Sequence, residues 1–551
     1  MAPCRNPTMN VAQAVAAILK KEGVDFLFCY PTSRIIDEAA LQGIRPLVVR
    51  QERTGLHMAD ALSRMSSGKR IGVFAMQHGP GAENSYGGVA QAYAESVPIL
   101  VIPQGYPQRI APISPNFSSA TSMRDVSKSA EALAVPAEVT AVMRRAFSRL
   151  RNGRGGPVVV EVPSDLWGAE SPAPDAYVPV APSRYGPAPD DIAKAVELIA
   201  AARSPVIYAG QGVHWSQAWS ALRELAELLA APVATTLSGK SAFPEDHPLS
   251  LGSGGLAYPA AVRKFLADAD LIIGIGCSFT ETVFAVPLPS SGPRIIHATL
   301  DPDHLGKDVR ADVGLVGDAQ LTLAALIDAL RARGHRSDRG AEVAARIKSV
   351  RDAWLAEWMP KLTSDGTPLS PYRVIWELMK AVEGRKTVIT NDAGRPRDQL
   401  SPFWIAREPL DYIGWGKTTQ LGYGLGLAMG AKLARPESLC INVWGDAAIG
   451  FTGTDLETAA RERIPILSVL FNNQGMATEL ANIPNAIARY DAARITGNYA
   501  DMARALGCYS ERITSPDQIQ AALGRGICQT EEGRTVLLEF MTAQENVFSR
   551  P

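Results

Sequence analysis

The 551-residue sequence has no long apolar segment and almost no net charge. No run of about 18 residues is free of charged or polar breaks, which argues against a membrane-spanning helix. The first ten residues also lack the apolar stretch of a secretion signal. A formal charge of −1 gives no electrostatic attraction to nucleic acid or to an anionic membrane. These absences favour a globular protein whose partners are small molecules.

Cysteine is scarce and scattered. The six cysteines, at positions 4, 29, 277, 440, 508 and 528, form no CxxC pair and have no metal-ligand spacing. This pattern is typical of reduced thiols and predicts a cytoplasmic protein.

Two segments have the composition of linkers. Residues 170–190 are rich in proline, and residues 334–370 combine a charged helical pattern with a loop. Between them, short apolar runs alternate with amphipathic helical patterns, as they do in parallel sheets covered by helices. We therefore predict an α/β fold with three doubly wound parallel-sheet domains, at residues 1–175, 190–335 and 365–551.

The first and third segments are weakly similar to each other. Residues 70–104 can be laid on residues 437–471 without a gap, and Pro98 then falls on Pro465, each before an apolar strand. We interpret this as two related domains that could pair around a shared ligand.

The most informative polar residues follow two neighbouring strands of the third segment. Asp446 ends one apolar run and Asn473 ends the next, so both side chains are expected at the carboxyl edge of the sheet. Carboxylate and amide oxygens are the hard ligands that Mg²⁺ prefers. The small residues Ala447 and Ala448 allow backbone N–H groups to approach a diphosphate at a helix N-terminus.

Gly445-Asp446-Ala447 followed by Asn472-Asn473 resembles the Gly-Asp-Gly to Asn-Asn motif of thiamine diphosphate enzymes, with Ala447 in place of the usual glycine. The resemblance implies that Mg²⁺ is held by Asp446, Asn473 and the main-chain carbonyl of Gly475. It implies a bulky apolar wedge beneath the cofactor at Leu421. Further cofactor contacts are expected at Gly394, Arg395, Thr419, Gly445, Ala447, Ala448 and Met476.

Glu52 stands where this family has a glutamate that contacts the aminopyrimidine ring of the cofactor. It follows a predicted strand and opens a predicted helix, and the sequence GPGAEN at residues 79–84 is similar to the family's GPGATN. A carboxyl group in a dry site can exchange a proton with the ring, which lets the exocyclic nitrogen deprotonate the thiazolium carbon. Glu52 is thus the main catalytic candidate. A favourable helix start is the competing interpretation.

The likeness extends to the middle segment, where residues 243–252 (FPEDHPLSLG) resemble the acetolactate synthase group. The fold implied is a pyrimidine-binding domain, a central Rossmann-like domain and a diphosphate-binding domain. Family members of this kind associate as homodimers or homotetramers with active sites between subunits, so we expect self-association.

The departures from acetolactate synthases lie at substrate positions. The group's Arg-Phe-Asp-Asp-Arg motif is replaced by a stretch that begins at Cys277, its Phe-Gln-Glu by residues 117–119, and its Met-Val after Asn-Asn by residues from Met476 onward. Gln77 and His78 precede GPG, where they are candidate polar groups near a reacting carbonyl, and the His78 imidazole can transfer a proton at physiological pH. We therefore predict a rebuilt substrate pocket, which argues against condensation of pyruvate to acetolactate.

The leading hypothesis is a Mg²⁺- and thiamine diphosphate-dependent lyase or transferase, which acts as a 2-oxo acid decarboxylase or carboligase. The alternatives are a 2-hydroxyacyl lyase, an FAD-linked 2-oxo acid oxidase and a non-catalytic subunit. FAD is not favoured, because the arginines that help to hold it are missing. The sequence does not support a nicotinamide dehydrogenase, since no predicted strand is followed by the GxGxxG motif of dinucleotide-binding domains.

Overall fold

The computed structural model describes residues 8–289, 291–418 and 420–550. They form two compact units. Unit 1 takes in the described residues of Met1–Ser183 together with Leu425–Pro436 and Thr452–Ile464. Unit 2 takes in Arg184–Gly424, Glu437–Phe451 and the described part of Pro465–Pro551.

Unit 1 contains a six-stranded parallel sheet in the order β3-β2-β4-β5-β7-β6. Its strands are β2 (Phe26–Cys29), β3 (Arg45–Val48), β4 (Gly72–Met76), β5 (Ile99–Gly105), β6 (Ser129–Ala132) and β7 (Val158–Pro163). A short antiparallel pair joins β1 (Thr8–Asn10) to β8 (Glu170–Pro172). The helices of this region are α1 (Val11–Lys21), α2 (Arg34–Leu41), α3 (Glu52–Met65), α4 (Pro80–Ala94), α5 (Ser119–Ser122) and α6 (Val139–Arg151).

The first sheet of unit 2 is parallel and has the order β11-β10-β9-β12-β13-β14. Its strands are β9 (Pro205–Ala209), β10 (Val233–Thr235), β11 (Ser250–Ser253), β12 (Leu271–Ile275), β13 (Arg294–Thr299) and β14 (Val313–Val316). The accompanying helices are α7 (Pro189–Ala201), α8 (Gly212–Trp215), α9 (Trp219–Leu229), α10 (Ala260–Ala267), α11 (Ala319–Ala332) and α12 (Gly340–Leu362).

The second sheet of unit 2 is also parallel, in the order β16-β15-β17-β18-β20-β19. Its strands are β15 (Thr387–Asn391), β16 (Tyr412–Ile413), β17 (Leu439–Gly445), β18 (Leu467–Asn472), β19 (Tyr509–Ile513) and β20 (Val536–Met541). The remaining helices are α13 (Pro371–Ala381), α14 (Arg395–Leu400), α15 (Tyr423–Ala434), α16 (Asp446–Thr452), α17 (Leu456–Arg461), α18 (Pro484–Tyr490), α19 (Tyr499–Ala505) and α20 (Ile519–Glu531).

Three helix-covered parallel sheets confirm the predicted fold class. The central strands are hydrophobic and buried on both faces, as a parallel sheet between helix layers requires. The sheet of unit 1 and the second sheet of unit 2 also share one strand order, with β4 and β5 in the places of β17 and β18. This shared topology agrees with the internal similarity read from residues 70–104 and 437–471.

The linker predicted at residues 170–190 is shorter in the structure, because its first residues form β8 and its last two begin α7, and no helix or strand forms between them. The charged pattern after residue 334 forms α12, which ends at Leu362 before a loop, as predicted. The domain limits 1–175, 190–335 and 365–551 remain a prediction. In the described part of the chain, every helix is too short or too polar to cross a bilayer.

Candidate functional site

The polar residues predicted at the edge of the last sheet do come together. β17 and β18 are neighbouring parallel strands, paired from Ile441↔Leu467 to Gly445↔Phe471. Asp446 and Asn473 therefore follow adjacent strand ends. Both side chains accept from one donor, since the Gly475 N–H lies 3.2 Å from Asp446 Oδ2 and 3.0 Å from Asn473 Oδ1. A carboxylate oxygen and an amide oxygen thus converge on a single point.

A tight turn produces this convergence. Gln474 has a φ of 58°, in the left-handed region, and its N–H bonds to Asn472 Oδ1 at 3.1 Å. A Cβ atom at Gly475 would lie 2.6 Å from Gln544 Nε2, at the end of a flexible side chain, and 3.2 Å from the Ala493 carbonyl oxygen. Close packing therefore favours a glycine at this position of the turn.

Asp446 is buried at the start of α16, where its Oδ1 also accepts from the Ala447 N–H at 2.9 Å. Burial raises the pKa of the Asp446 carboxyl above its usual value, and the surrounding backbone N–H groups oppose this without outweighing it. Ala447 and Ala448 both lie inside α16. Alanine in place of the family's glycine at 447 is compatible with this backbone, because a right-handed helix has a negative φ.

A second buried carboxylate, which the sequence analysis missed, organises the neighbouring loop. Asp392 accepts three backbone hydrogen bonds, from Ala393 at 2.8 Å, from Gly422 at 2.9 Å and from Gly424 at 2.9 Å. Complete burial raises its pKa to about 6 despite these bonds. It ties the turn after β15 to the segment around Leu421. The signal in the sequence was an Asp directly after a strand, paired with Gly-x-Gly.

The other predicted cofactor contacts occupy the same region of unit 2 with varied exposure. Gly394, at the start of α14, has a φ of 82°, which favours glycine. Arg395, Leu421, Gly445 and Met476 are half-buried. Thr419 lies outside the described residues.

In unit 1, Glu52 is the first residue of α3 and is buried. Asn84, the last residue of the GPGAEN motif, donates from Nδ2 to Glu52 Oε2 at 3.2 Å. Burial raises the pKa of Glu52, the backbone N–H and Asn84 oppose the rise, and the Asp455 carboxylate adds to it. A raised pKa brings this carboxyl closer to neutral pH, where an acid–base group is most useful. Asn84 is therefore a site residue that the sequence analysis did not single out.

Gln77 and His78 follow β4 and are half-buried. His78 Nδ1 lies 3.3 Å from Gln104 Nε2, and its ring packs against Tyr106 with a centroid distance of 4.4 Å. Gln104 in β5 and Tyr106 just after it thereby fix the orientation of the imidazole. Glu52, Gln77 and His78 thus all lie in unit 1, and the predicted metal ligands lie in unit 2.

Comparison with known proteins gives three matches that together cover most of the chain. The thiamine pyrophosphate enzyme N-terminal TPP binding domain matches residues 9–124, the central domain 192–326 and the C-terminal TPP binding domain 392–540. The probable acetolactate synthase large subunit of Methanocaldococcus jannaschii is 30% identical over 551 residues, covering 95% of this chain and 90% of that protein. The acetolactate synthase isozyme 3 large subunit of Escherichia coli is 27% identical, covering 96% and 94%.

The chain belongs to the thiamine pyrophosphate enzymes. It is an enzyme of this family that is similar to acetolactate synthase large subunits along nearly its whole length. The family prediction made from Gly445-Asp446-Ala447, Asn472-Asn473 and Glu52 is confirmed.

The residues present fit a thiamine diphosphate–Mg²⁺ group. The described residues contain no cluster of three or more His, Cys, Asp or Glu suited to a metal, but the predicted ligand set needs only one acid. Asp446 supplies a carboxylate oxygen and Asn473 an amide oxygen, both hard donors. The Gly475 carbonyl accepts one hydrogen bond, from Ala477 at 3.0 Å, and so keeps a second lone pair for a cation.

Proposed function

We propose that this protein is a Mg²⁺-dependent carboligase that joins a fragment of a 2-oxo acid to a second carbonyl compound, with a substrate pocket that differs from that of acetolactate synthases. The observation that carries the proposal is the buried Glu52 held by Asn84, in a chain similar to acetolactate synthases over nearly its whole length. A cytoplasmic location remains a prediction.

Thiamine diphosphate, when bound, would supply a thiazolium ring whose deprotonated C2 adds to a carbonyl and whose cationic nitrogen accepts the electron pair released by decarboxylation. The protein's residues would provide the rest. Glu52 would exchange a proton with the aminopyrimidine ring. Asp446, Asn473 and the Gly475 carbonyl would hold Mg²⁺ on the diphosphate. Gln77 would donate a hydrogen bond to the reacting carbonyl oxygen, and His78 would bind or protonate it.

Products identify the reaction directly. The protein would be incubated with Mg²⁺, thiamine diphosphate, a uniformly ¹³C-labelled 2-oxo acid and a set of aldehyde and 2-oxo acid acceptors labelled with ¹³C at the carbonyl carbon, and followed by NMR. A new ¹³C–¹³C coupling between donor and acceptor carbons, together with labelled CO₂, supports a carboligase. CO₂ without coupling would indicate a decarboxylase instead. A protein that binds cofactor and releases neither product contradicts the proposal.

The substrate residues give a specific expectation for pyruvate. Cys277-Ser278-Phe279 stands in place of an arginine-containing motif, so a second 2-oxo acid has lost one partner for its carboxylate. Acceptors without a carboxylate should therefore compete well with pyruvate in the same NMR experiment.

We expect that the protein binds little or no FAD. Ser278 Oγ lies 2.7 Å from Thr280 Oγ1, which accepts from Lys307 Nζ at 2.8 Å, so these side chains bond to one another. No guanidinium is available from residues 277–282 to bind a flavin diphosphate. Visible absorbance of protein purified without added FAD measures this. A stoichiometric flavin spectrum would contradict it and favour the oxidase alternative.

We also expect a homodimer or a dimer of dimers, because the family resemblance implies active sites between subunits. Helix α4, which carries Asn84, exposes two tyrosines seven residues apart, Tyr86 at 41% and Tyr93 at 42%. Residues seven apart lie on one helix face. We propose that this face contacts a second copy of the chain.

Light scattering coupled to size-exclusion chromatography tests the dimer. The parent should elute as a dimer or larger, and the double variant Tyr86→Ser/Tyr93→Ser should shift toward monomer. The matched control is Tyr490→Ser, which removes a more exposed tyrosine, at 79%, from α18. A fully active monomeric parent would refute self-association.

A further inference from the structure

A buried glutamate outside the predicted ligand set lies at the centre of a network around the metal-binding turn. Glu539 is on β20, and its side chain is fully buried. Oε1 accepts from Asn472 Nδ2 at 2.7 Å and from an Arg512 NH2 group at 2.9 Å. Oε2 accepts from the Ala500 N–H at 2.9 Å and from Arg512 Nε at 3.0 Å. Donors therefore converge on both oxygens of one carboxylate.

The surroundings of Glu539 favour its charged, deprotonated form. Burial alone would raise its pKa, but Arg512, Asn472 and the Ala500 N–H outweigh burial and hold the pKa below its usual range. Because a paired carboxylate with all its donors in place is rigid, the groups that bond to it are fixed as well.

Asn472 connects Glu539 to the turn. Its amide nitrogen donates to Glu539, and its amide oxygen accepts from the Gln474 N–H at 3.1 Å. That bond fixes the backbone immediately before Gly475, whose N–H points at Asp446 and Asn473. Three hydrogen bonds in sequence thus join Glu539 to the predicted ligands, although Glu539 contacts none of them.

Glu539 also fixes the far end of the segment that follows the turn. Arg512, which is paired with Glu539, donates to the Gly497 carbonyl at 2.9 Å. The Ala500 N–H donates directly to Glu539. Near the turn, the Ile495 N–H bonds to the Gln474 carbonyl at 3.1 Å. Both ends of the segment between residues 474 and 500 are consequently tied to the same carboxylate.

The sheet of unit 1 provides an internal comparison. Glu161 on β7 occupies the equivalent place, since β7 and β20 have the same position in two sheets of identical strand order. It is buried and accepts from Ser118 Oγ at 2.5 Å and from the Ala120 N–H at 2.8 Å, at the start of a helix. Holding a helix start is therefore common to both glutamates. The bonds to Asn472 and Arg512 belong to Glu539 alone.

We propose that Glu539 is a positioning residue for the metal site, acting through Asn472 to hold the turn of residues 472–475 in the conformation that binds Mg²⁺. This inference rests on the proposed function, because it assumes that Asp446, Asn473 and Gly475 are the ligands. Residues that orient metal ligands typically change metal affinity about 10–100-fold when they are replaced.

The test uses Glu539→Gln with Glu161→Gln as the matched control. Donors approach both oxygens of Glu539, whereas a glutamine amide has only one acceptor oxygen. Glu539→Gln should therefore weaken the hydrogen bonds that hold the turn of residues 472–475 in place. Amide hydrogen exchange of the cofactor-free protein should accelerate in the peptide that contains Gly475. Mg²⁺, titrated calorimetrically at saturating thiamine diphosphate, should bind about 10–100-fold more weakly. Glu161→Gln should change neither quantity.

Asn472→Ala keeps the Glu539–Arg512 pair and removes only the link, which provides a second variant if Glu539→Gln fails to fold. It should weaken Mg²⁺ binding by a similar factor, and the double variant should be no weaker than either single one. Unchanged exchange at Gly475 in both variants, or an equal loss of affinity in Glu161→Gln, overturns the positioning role. A parent that binds no Mg²⁺ overturns the proposed function instead, while the exchange result still decides the role of Glu539.

Discussion

Replacement of Glu52 by glutamine should slow deuterium exchange at the thiazolium C2 of bound thiamine diphosphate by about 10²–10⁴-fold, the usual cost of a lost acid–base group. Glutamine keeps the volume of the side chain and an oxygen that can accept from Asn84 Nδ2. It removes only the titrating proton. Cofactor affinity should change little, because the proposed grip on diphosphate and Mg²⁺ comes from Asp446 and Asn473.

The surroundings of Glu52 explain why the effect should be large. The carboxyl is buried at the start of α3, and burial raises its pKa toward neutrality, with the nearby Asp455 carboxylate acting in the same direction. A carboxyl whose pKa is raised in this way takes up a proton more readily than a free carboxyl and can pass it on to a partner. An amide cannot do either.

Acid quenching and NMR of the cofactor measure this exchange without any knowledge of the substrate. Glu83→Gln is the matched control, since Glu83 is exposed one residue before Asn84 on α4. It should exchange as fast as the parent. If Glu52→Gln with bound cofactor also exchanges at the parental rate, then this glutamate only stabilises the start of α3.

The sequence was sufficient for the fold class and for the residues next to strand ends. Alternating apolar runs and helical patterns predict parallel sheets, and a parallel sheet places all its carboxyl ends at one edge. Asp446 and Asn473 could therefore be paired across 27 positions of sequence by strand counting alone. The internal repeat also correctly indicated that β4–β5 and β17–β18 occupy the same positions in their sheets. A weak repeat is sufficient for this, because strand order is preserved even where side chains differ.

Residues that act at a distance from the motif could not be found in this way. Asp392 and Glu539 look like ordinary polar residues of a strand or its end, and their importance depends on which backbone N–H groups approach them in space. Asn84 could have been noticed, because it is the last residue of the GPGAEN motif. Its contact with Glu52 joins α4 to α3, however, and residues 32 positions apart cannot be paired from local sequence. Hydrogen-bond partners across elements require the folded structure.

Replacement of Asp446 should abolish tight cofactor binding while leaving the fold intact. It is the only acid among the proposed ligands, so Asp446→Ala and Asp446→Asn both remove the negative charge that faces Mg²⁺. Replacing a residue that only orients a metal ligand typically lowers metal affinity by about 10–100-fold. Replacing the charged ligand itself should therefore lower the affinity by more than about 100-fold.

Removal of the metal with EDTA should likewise abolish activity, and Mg²⁺ with thiamine diphosphate should restore it.

The two variants separate charge from structure. An asparagine oxygen can still accept from the Ala447 N–H, as Asp446 Oδ1 does at 2.9 Å. The Gly475 N–H loses Asp446 Oδ2 but keeps Asn473 Oδ1 at 3.0 Å, so Asp446→Asn should unfold at nearly the parental temperature without cofactor. Asp446→Ala leaves that N–H without its partner and should be slightly less stable. Both should lose the rise in melting temperature that Mg²⁺ and thiamine diphosphate give to the parent, because stabilisation by a ligand scales with its affinity.

Asp318→Asn is the control for this series. Asp318 also stands at a helix start, where Oδ1 accepts from the Gln320 N–H at 3.0 Å, but it precedes α11 and has no proposed ligand role. It should keep the full cofactor-dependent rise in melting temperature. Calorimetric titration gives the affinities directly. Normal cofactor binding by Asp446→Ala would show that Mg²⁺ is held elsewhere, and the convergence of Asp446 and Asn473 on Gly475 would then serve only to close a turn.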